Sequence, residues 1–326
     1  MARTRTIIGF AGTLTAFALA LWLLDWDALV VAFANLPAEA LALSAVFSLL
    51  TTLVLGARWA VLTAPTGQWY GRQRFRDALV GQIYNVLTPA AVGADAYRIV
   101  IASHREGGRT RAVAMVFLER IFGLSAFAFA FLLSFIVGIN GPASSLLAGA
   151  AVIFAGMLLT MLSMLVITRV LVWPGMAITA TKRGILLGEI FAQLTIIPLS
   201  RLLSALVLTL VGLATWLLCL GIIARANGLL LPSQDIVMIA VVTEFARLLP
   251  ISIQGIGVRE MTFASLAAKA GGAAAPAFAA CATAYALHFL LSAVIGLIAR
   301  TSIDHKLVRR KTDTAAARDS KELSHG

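Results

Sequence analysis

The polar residues of this chain that could do chemistry cluster in two places within an otherwise greasy sequence. The first is Tyr84–Arg98, YNVLTPAAVGADAYR, and the second is Phe245–Glu260, FARLLPISIQGIGVRE. They share a skeleton: Leu87, Pro89 and Arg98 have the same spacing as Leu248, Pro250 and Arg259. Arginine holds a phosphate through two parallel hydrogen bonds, so Arg98 and Arg259 are candidate ligands for an anionic head group. Proline removes a backbone donor and glycine permits unusual backbone angles, so Thr88, Pro89 and Gly93 in one copy mark a tip with exposed main-chain groups. Pro250, Gly255 and Gly257 do so in the other, and Ser252 and Gln254 add neutral hydrogen-bonding groups. A Pro and a Gly also occur in simple kinks of packed helices. Two copies at matched spacing favour a site.

Carboxylates and arginines continue around these stretches. Asp95 and Arg98 flank the first tip; Glu244, Arg247, Arg259 and Glu260 flank the second; Glu119 and Arg120 lie roughly 10 Å along the apolar run that starts at Ala112, at 1.5 Å per residue. Charges at membrane depth are costly and mark function or mutual pairing. About half of these eight are expected only to satisfy one another, Glu244 and Arg247 first among them, because residues three apart share a helix face. Glu119 is a candidate to neutralise an arginine or carry a proton, Glu260 to position a head group, and Tyr84 and Asn85 to line the same cavity. Catalytic and metal-binding signatures are missing from the sequence. There is no GxxxxGK[ST] loop, no GxSxG elbow, and His104, His288, His305 and His325 lack ligand spacing, so no cofactor and no metal are expected.

Composition sets the medium. Of 326 residues, 60% are hydrophobic and only 13% charged, with a mean hydropathy of +0.93, which excludes an ordinary soluble domain. The formal charge of +11 is spread over loops and chain ends rather than a basic helix interleaved with aromatics, which argues for a membrane surface and against nucleic acid. Cys219 and Cys281 both sit in apolar runs and read as core packing. Six runs reach the roughly 20 residues that a span needs: Ile7–Leu24, Ala40–Leu62, Ala112–Gly138, Ser144–Thr168, Leu202–Ile223 and Pro276–Ala299. The first follows a basic MARTRT flank but is longer than a secretory core, so an uncleaved helix is expected.

Two further segments, Asp77–Ile101 and Asp235–Ala270, are apolar at both ends and broken in the middle, and they carry the two tips. Basic loops assign sides. Arg72, Arg74 and Arg76 precede the first broken segment and Arg105, Arg109 and Arg111 follow it, so it should enter from the cytoplasm and return. Residues 25–39, with three acids and no Lys or Arg, read as an outer loop, and Pro174–Ile197 as a surface segment. Parity then brings the second broken segment in from outside, with both termini cytoplasmic. Each half, about 7–138 and 144–299, reads span, span, re-entrant hairpin, span. An odd number of crossings per half inverts the second half, the plan of many secondary transporters. The expected fold is therefore an all-α integral membrane domain over 1–300 with about six full spans and two re-entrant hairpins, followed by a basic, disordered cytoplasmic tail over 301–326.

At these same residues the sequence resembles the lysylphosphatidylglycerol synthase transmembrane-region family. The matching pieces are YNVLTPAAVGADAYR, LERIFGL at Leu118–Leu124 and LLPISIQGIGVRE at Leu248–Glu260. The family includes the lipid-flipping part of the bacterial multiple peptide resistance factor and many stand-alone proteins. The resemblance implies a multi-span domain with re-entrant helices that moves an aminoacylated phosphatidylglycerol, or serves polyprenyl-linked sugar pathways. No soluble aminoacyltransferase domain follows Arg300, so synthesis of the lipid is not expected of this chain. The expected function is transport of an anionic, aminoacylated or polyprenyl-linked lipid across a bacterial inner membrane, with the lipid head group as ligand and a lipid-modifying enzyme or glycosyltransferase as possible partner. The alternatives are a membrane enzyme acting on lipid-linked sugars, with Asp95, Glu119 or Glu260 as acid or base, and a scaffold for a neighbouring enzyme.

Overall fold

The computed structural model describes residues 26–64, 68, 70–86, 88, 92–103, 108–140, six positions from 148 to 159, 197–247, 252 and 254–323. The described residues form nine α-helices and no strand. They are α1 (Trp26–Ala34), α2 (Ala38–Leu62), α3 (Arg72–Val86), α4 (Gly93–Ser103), α5 (Gly108–Val137), α6 (Leu199–Ala226), α7 (Ser233–Ala246), α8 (Val258–Lys269) and α9 (Ala274–Leu323). Pro37, Pro198 and Pro232 stand immediately before α2, α6 and α7. A residue without an N–H is tolerated at a helix start, where the first four amides lack intrahelical partners anyway.

Among the described residues, four helices are long and apolar enough to cross a bilayer: α2, residues Thr110–Val137 of α5, α6, and residues Ala274–Thr301 of α9. The expected spans Ile7–Leu24 and Ser144–Thr168, the surface segment before Ile197, and the tip residues Pro89 and Pro250 lie outside the described residues, apart from isolated positions in the second span. Part of the expected outer loop is instead helical: Trp26–Ala34 is WDALVVAFA, an apolar run with no internal Pro or Gly to stop a helix. After Thr301 the backbone stays helical to Leu323, within the stretch expected as the cytoplasmic tail.

The two broken segments are the pairs α3–α4 and α7–α8, each packed on itself. Their surroundings repeat. Helix α4 packs on α5 and α8 on α9, while α3 crosses to α9 and α7 to α5. Between the halves the most extensive pairing is α2 with α6. Small and hydroxyl side chains let these two approach: Thr51 and Thr215 share a 2.8 Å hydrogen bond, and the Ser44 hydroxyl donates to the Cys219 carbonyl at 3.3 Å. A Cβ on Gly212 would stand 2.8 Å from Leu55, so glycine there permits the contact. Cys219 and Cys281 are both buried in the main apolar core, between α6 and α9.

Candidate functional site

The long helices and the broken pairs enclose a cavity of about 240 Å³ whose lining comes from α2 through α7 and α9. Its described charged lining is four arginines and three carboxylates: Arg58, Arg98, Arg120 and Arg247 with Asp95, Glu119 and Glu244. At one end, Glu119 of α5 is held by two guanidinium groups from separate helices. Arg58 of α2 donates to Oε1 through Nε at 3.1 Å and Nη2 at 2.9 Å, and Arg98 of α4 donates to Oε2 through Nη1. The remaining Arg58 nitrogen donates to Thr209 of α6 at 3.2 Å, and Arg98 lies 5.1 Å from the Trp59 ring centroid. All three charges are buried, and breaking such a set costs about 3–5 kcal/mol because an uncompensated ion remains. The Nε of Arg98 is buried without a hydrogen-bond partner. Beside this cluster Arg120 donates to Asp95 at 2.8 Å.

The other end is built on α7 and α9. Arg247 pairs with Glu244 at 2.9 Å, as their spacing predicts, and the Tyr285 hydroxyl also donates to Glu244. The His288 ring shares a 3.0 Å hydrogen bond with Ser48, which links α9 to α2. Thr52 and Ser292 meet at 2.8 Å. The Trp216 ring packs on Tyr285 at 4.5 Å and on His288 at 5.2 Å, giving this end an aromatic wall. Between the two ends α5 turns Gly123, Leu124, Ala126 and Phe127 to the cavity, one face of the helix continuing from Glu119 and Arg120.

The sequence-predicted residues divide between this cavity and its walls. Arg98, Glu119, Asp95 and Asn85 line it. Arg259 and Glu260 do not. Arg259 is 2% exposed, pairs with Glu260 through Nε at 3.1 Å and Nη2 at 2.6 Å, and stacks over the Tyr285 ring at 3.4 Å. Glu260 also accepts the Gly257 N–H at 2.6 Å, which caps the start of α8. The two arginines of the repeated skeleton thus differ: one meets a carboxylate of another helix at one end of the cavity, the other a carboxylate next in sequence. Tyr84 is 37% exposed and stacks on Tyr97 at 4.7 Å, away from the lining.

The two tips touch. Gln254, in the turn before α8, donates from its side chain to the Asn85 carbonyl near the end of α3. Gln254 has φ 55°, a left-handed backbone that only a few per cent of non-glycine residues adopt. Gly255 follows at φ 76°, where a Cβ would meet Arg247 at 2.9 Å. The hydroxyl of Ser252, the Oε1 of Gln254 and the Oδ1 of Asn85 are buried without hydrogen-bond partners. In the first broken segment, the Gly93 N–H donates to Thr88 Oγ1 at 2.7 Å, and that hydroxyl donates to the Tyr84 carbonyl at 3.2 Å. A Cβ on Gly93 would lie 2.5 Å from Thr88 Oγ1, so the end of α3 can approach the start of α4 only at a glycine.

Sequence reasoning missed Arg58, together with the hydroxyls of Thr51, Thr52, Thr209 and Ser292 that line the same cavity. A signal was available: Arg58 is the lone charge between Ala40 and Leu62 in an apolar run, the pattern that marks an intramembrane ionisable group with a partner. No curated protein matches the sequence. The model of the family described as lysylphosphatidylglycerol synthase TM region matches residues 6–296, which include every residue that lines the cavity. A match over that length, carried by a chain whose buried charges meet between membrane-length helices, places this protein in the lysylphosphatidylglycerol synthase TM region family.

Proposed function

We propose that this protein is a lipid transporter of the flippase type, in which the cavity receives the head group of an anionic, aminoacylated or polyprenyl-linked lipid while the acyl chains stay in the bilayer. The observation that carries the proposal is the Arg58–Glu119–Arg98 cluster: two buried guanidinium groups on one carboxylate, facing a cavity among helices long enough to span a membrane. An anion entering that cavity finds oriented donors, and arginine binds phosphate oxygens bidentately. The aromatic wall and the neutral hydroxyls at the opposite end give the rest of a head group both surface and hydrogen-bonding partners.

In this reading α3–α4 and α7–α8 are re-entrant hairpins that enter from opposite faces of a bacterial inner membrane, and the termini are cytoplasmic. The pairwise packing that repeats between the halves supports an inverted repeat, and the contact between Gln254 and the end of α3 supports tips that meet inside the bilayer. Non-helical backbone at that depth is tolerated only where protein or a wet cavity surrounds it. The test is reconstitution into liposomes with a labelled anionic phospholipid. The protein is expected to accelerate transbilayer movement, and Arg98→Ala and Arg58→Ala each to slow it by about tenfold or more, the effect of roughly 1.4 kcal/mol. Equal rates with and without protein for every lipid class tried would overturn the proposal.

A further inference from the structure

We infer that Glu119 sets the charge of the head group the cavity accepts, selecting a phosphate with one negative charge, a phosphodiester, over a doubly charged phosphomonoester; this rests on the lipid-transport reading above. Two guanidinium groups, Arg58 and Arg98, share the single carboxylate of Glu119, so the cluster holds one positive charge in excess. The other charged lining residues compensate in pairs, Arg120 with Asp95 and Arg247 with Glu244, so the described lining as a whole carries the same single excess. One more negative charge brings the cluster to neutrality with Glu119 in place. A second would stand against the Glu119 carboxylate with no cation left to meet it, inside a wall where screening by water and salt is weak. Glu119 is then a specificity residue as well as a counter-ion: its carboxylate rejects the ligand that carries too much charge.

The probe is a pair of lipids with identical acyl chains, phosphatidylmethanol and phosphatidic acid, which differ by one methyl group and, at about pH 8, by one charge, because a phosphomonoester has its second pKa near 6. Binding of each to the purified full chain is read by native mass spectrometry and by competition for a fluorescent lipid. The wild-type protein is expected to prefer phosphatidylmethanol by about tenfold or more. In Glu119→Gln, which keeps an acceptor but drops the charge, that preference should fall to within about threefold through tighter binding of phosphatidic acid. The double variant Arg58→Gln with Glu119→Gln restores a single excess positive charge and should regain the preference. A wild-type ratio near one overturns the inference without any variant, and so does a preference that Glu119→Gln leaves unchanged. If the wild-type chain binds neither lipid, the head-group reading of the cavity falls and this inference with it.

Discussion

Two glycine-to-alanine substitutions should have opposite effects, and the difference tests the geometry of the broken segments. At Gly93 the added methyl would sit 2.5 Å from Thr88 Oγ1 and 2.7 Å from the Tyr84 carbonyl carbon, where real Cβ atoms essentially never come within 3.0 Å. The carbonyl is backbone and cannot swing aside, so the start of α4 must move away from the end of α3 by at least several tenths of an ångström. That shift strains the 2.7 Å bond from the Gly93 N–H to Thr88 and the 3.2 Å bond from Thr88 to Tyr84. Overpacking costs about 1–3 kcal/mol, and each of the two weakened hydrogen bonds about 0.5–1.5 kcal/mol, for a total of roughly 2–6 kcal/mol. At Gly221, inside α6, a Cβ meets nothing within 4 Å. Alanine there should be neutral or add about 0.5–1 kcal/mol, since glycine loses more backbone entropy in a helix. The assay is thermal unfolding of both variants in one detergent, followed by cysteine accessibility or intrinsic fluorescence. Gly93→Ala is expected to unfold well below wild type and Gly221→Ala at or above it. A Gly93→Ala protein as stable as wild type would refute the close approach of the α3 and α4 ends.

Removing Glu119 should hurt more than removing one of its partners: Glu119→Ala leaves two buried guanidinium groups facing each other and should cost about 3–5 kcal/mol. Arg98→Met leaves Glu119 on Arg58 and should cost about 1.5–3 kcal/mol, the range for a hydrogen bond to a charged group, in the same unfolding assay. Gly123→Phe, on the cavity-lining face of α5 where a Cβ meets nothing within 4 Å, is expected to abolish lipid movement in liposomes with little loss of stability, because the ring fills the cavity rather than a packed core. Arg259→Met should destabilise by about 3–5 kcal/mol through the orphaned Glu260, yet the folded fraction should bind anionic lipid like wild type, because Arg259 faces Tyr285 and not the cavity. Thr51→Val removes one interhelical hydrogen bond to Thr215 and should cost about 0.6 kcal/mol in the same assay, the average for such bonds in a membrane.

The sequence by itself determined the medium and the chemistry on offer. Long apolar runs give membrane helices whatever their neighbours, because a backbone in lipid must bond within its own segment, and the α2, α5, α6 and α9 spans follow from that rule. The breaks before Gly93 and before Val258 were equally legible, since they depend on Gly and Pro in the local chain. So was the pairing of Glu244 with Arg247, fixed by one turn of helix. Tertiary structure decided which charges form a site. Arg98 and Arg259 occupy equal positions in the repeated skeleton, but α5 presents Glu119 to the first, while α9 presents Tyr285 to the second and leaves it to Glu260. Arg58 completes the first cluster from 61 residues away, and no periodicity within α2 shows that its partner lies on α5. Hydropathy and spacing are properties of neighbours along the chain. A buried ion finds its partner across helices, and which helices meet is set by the packing of small residues between them.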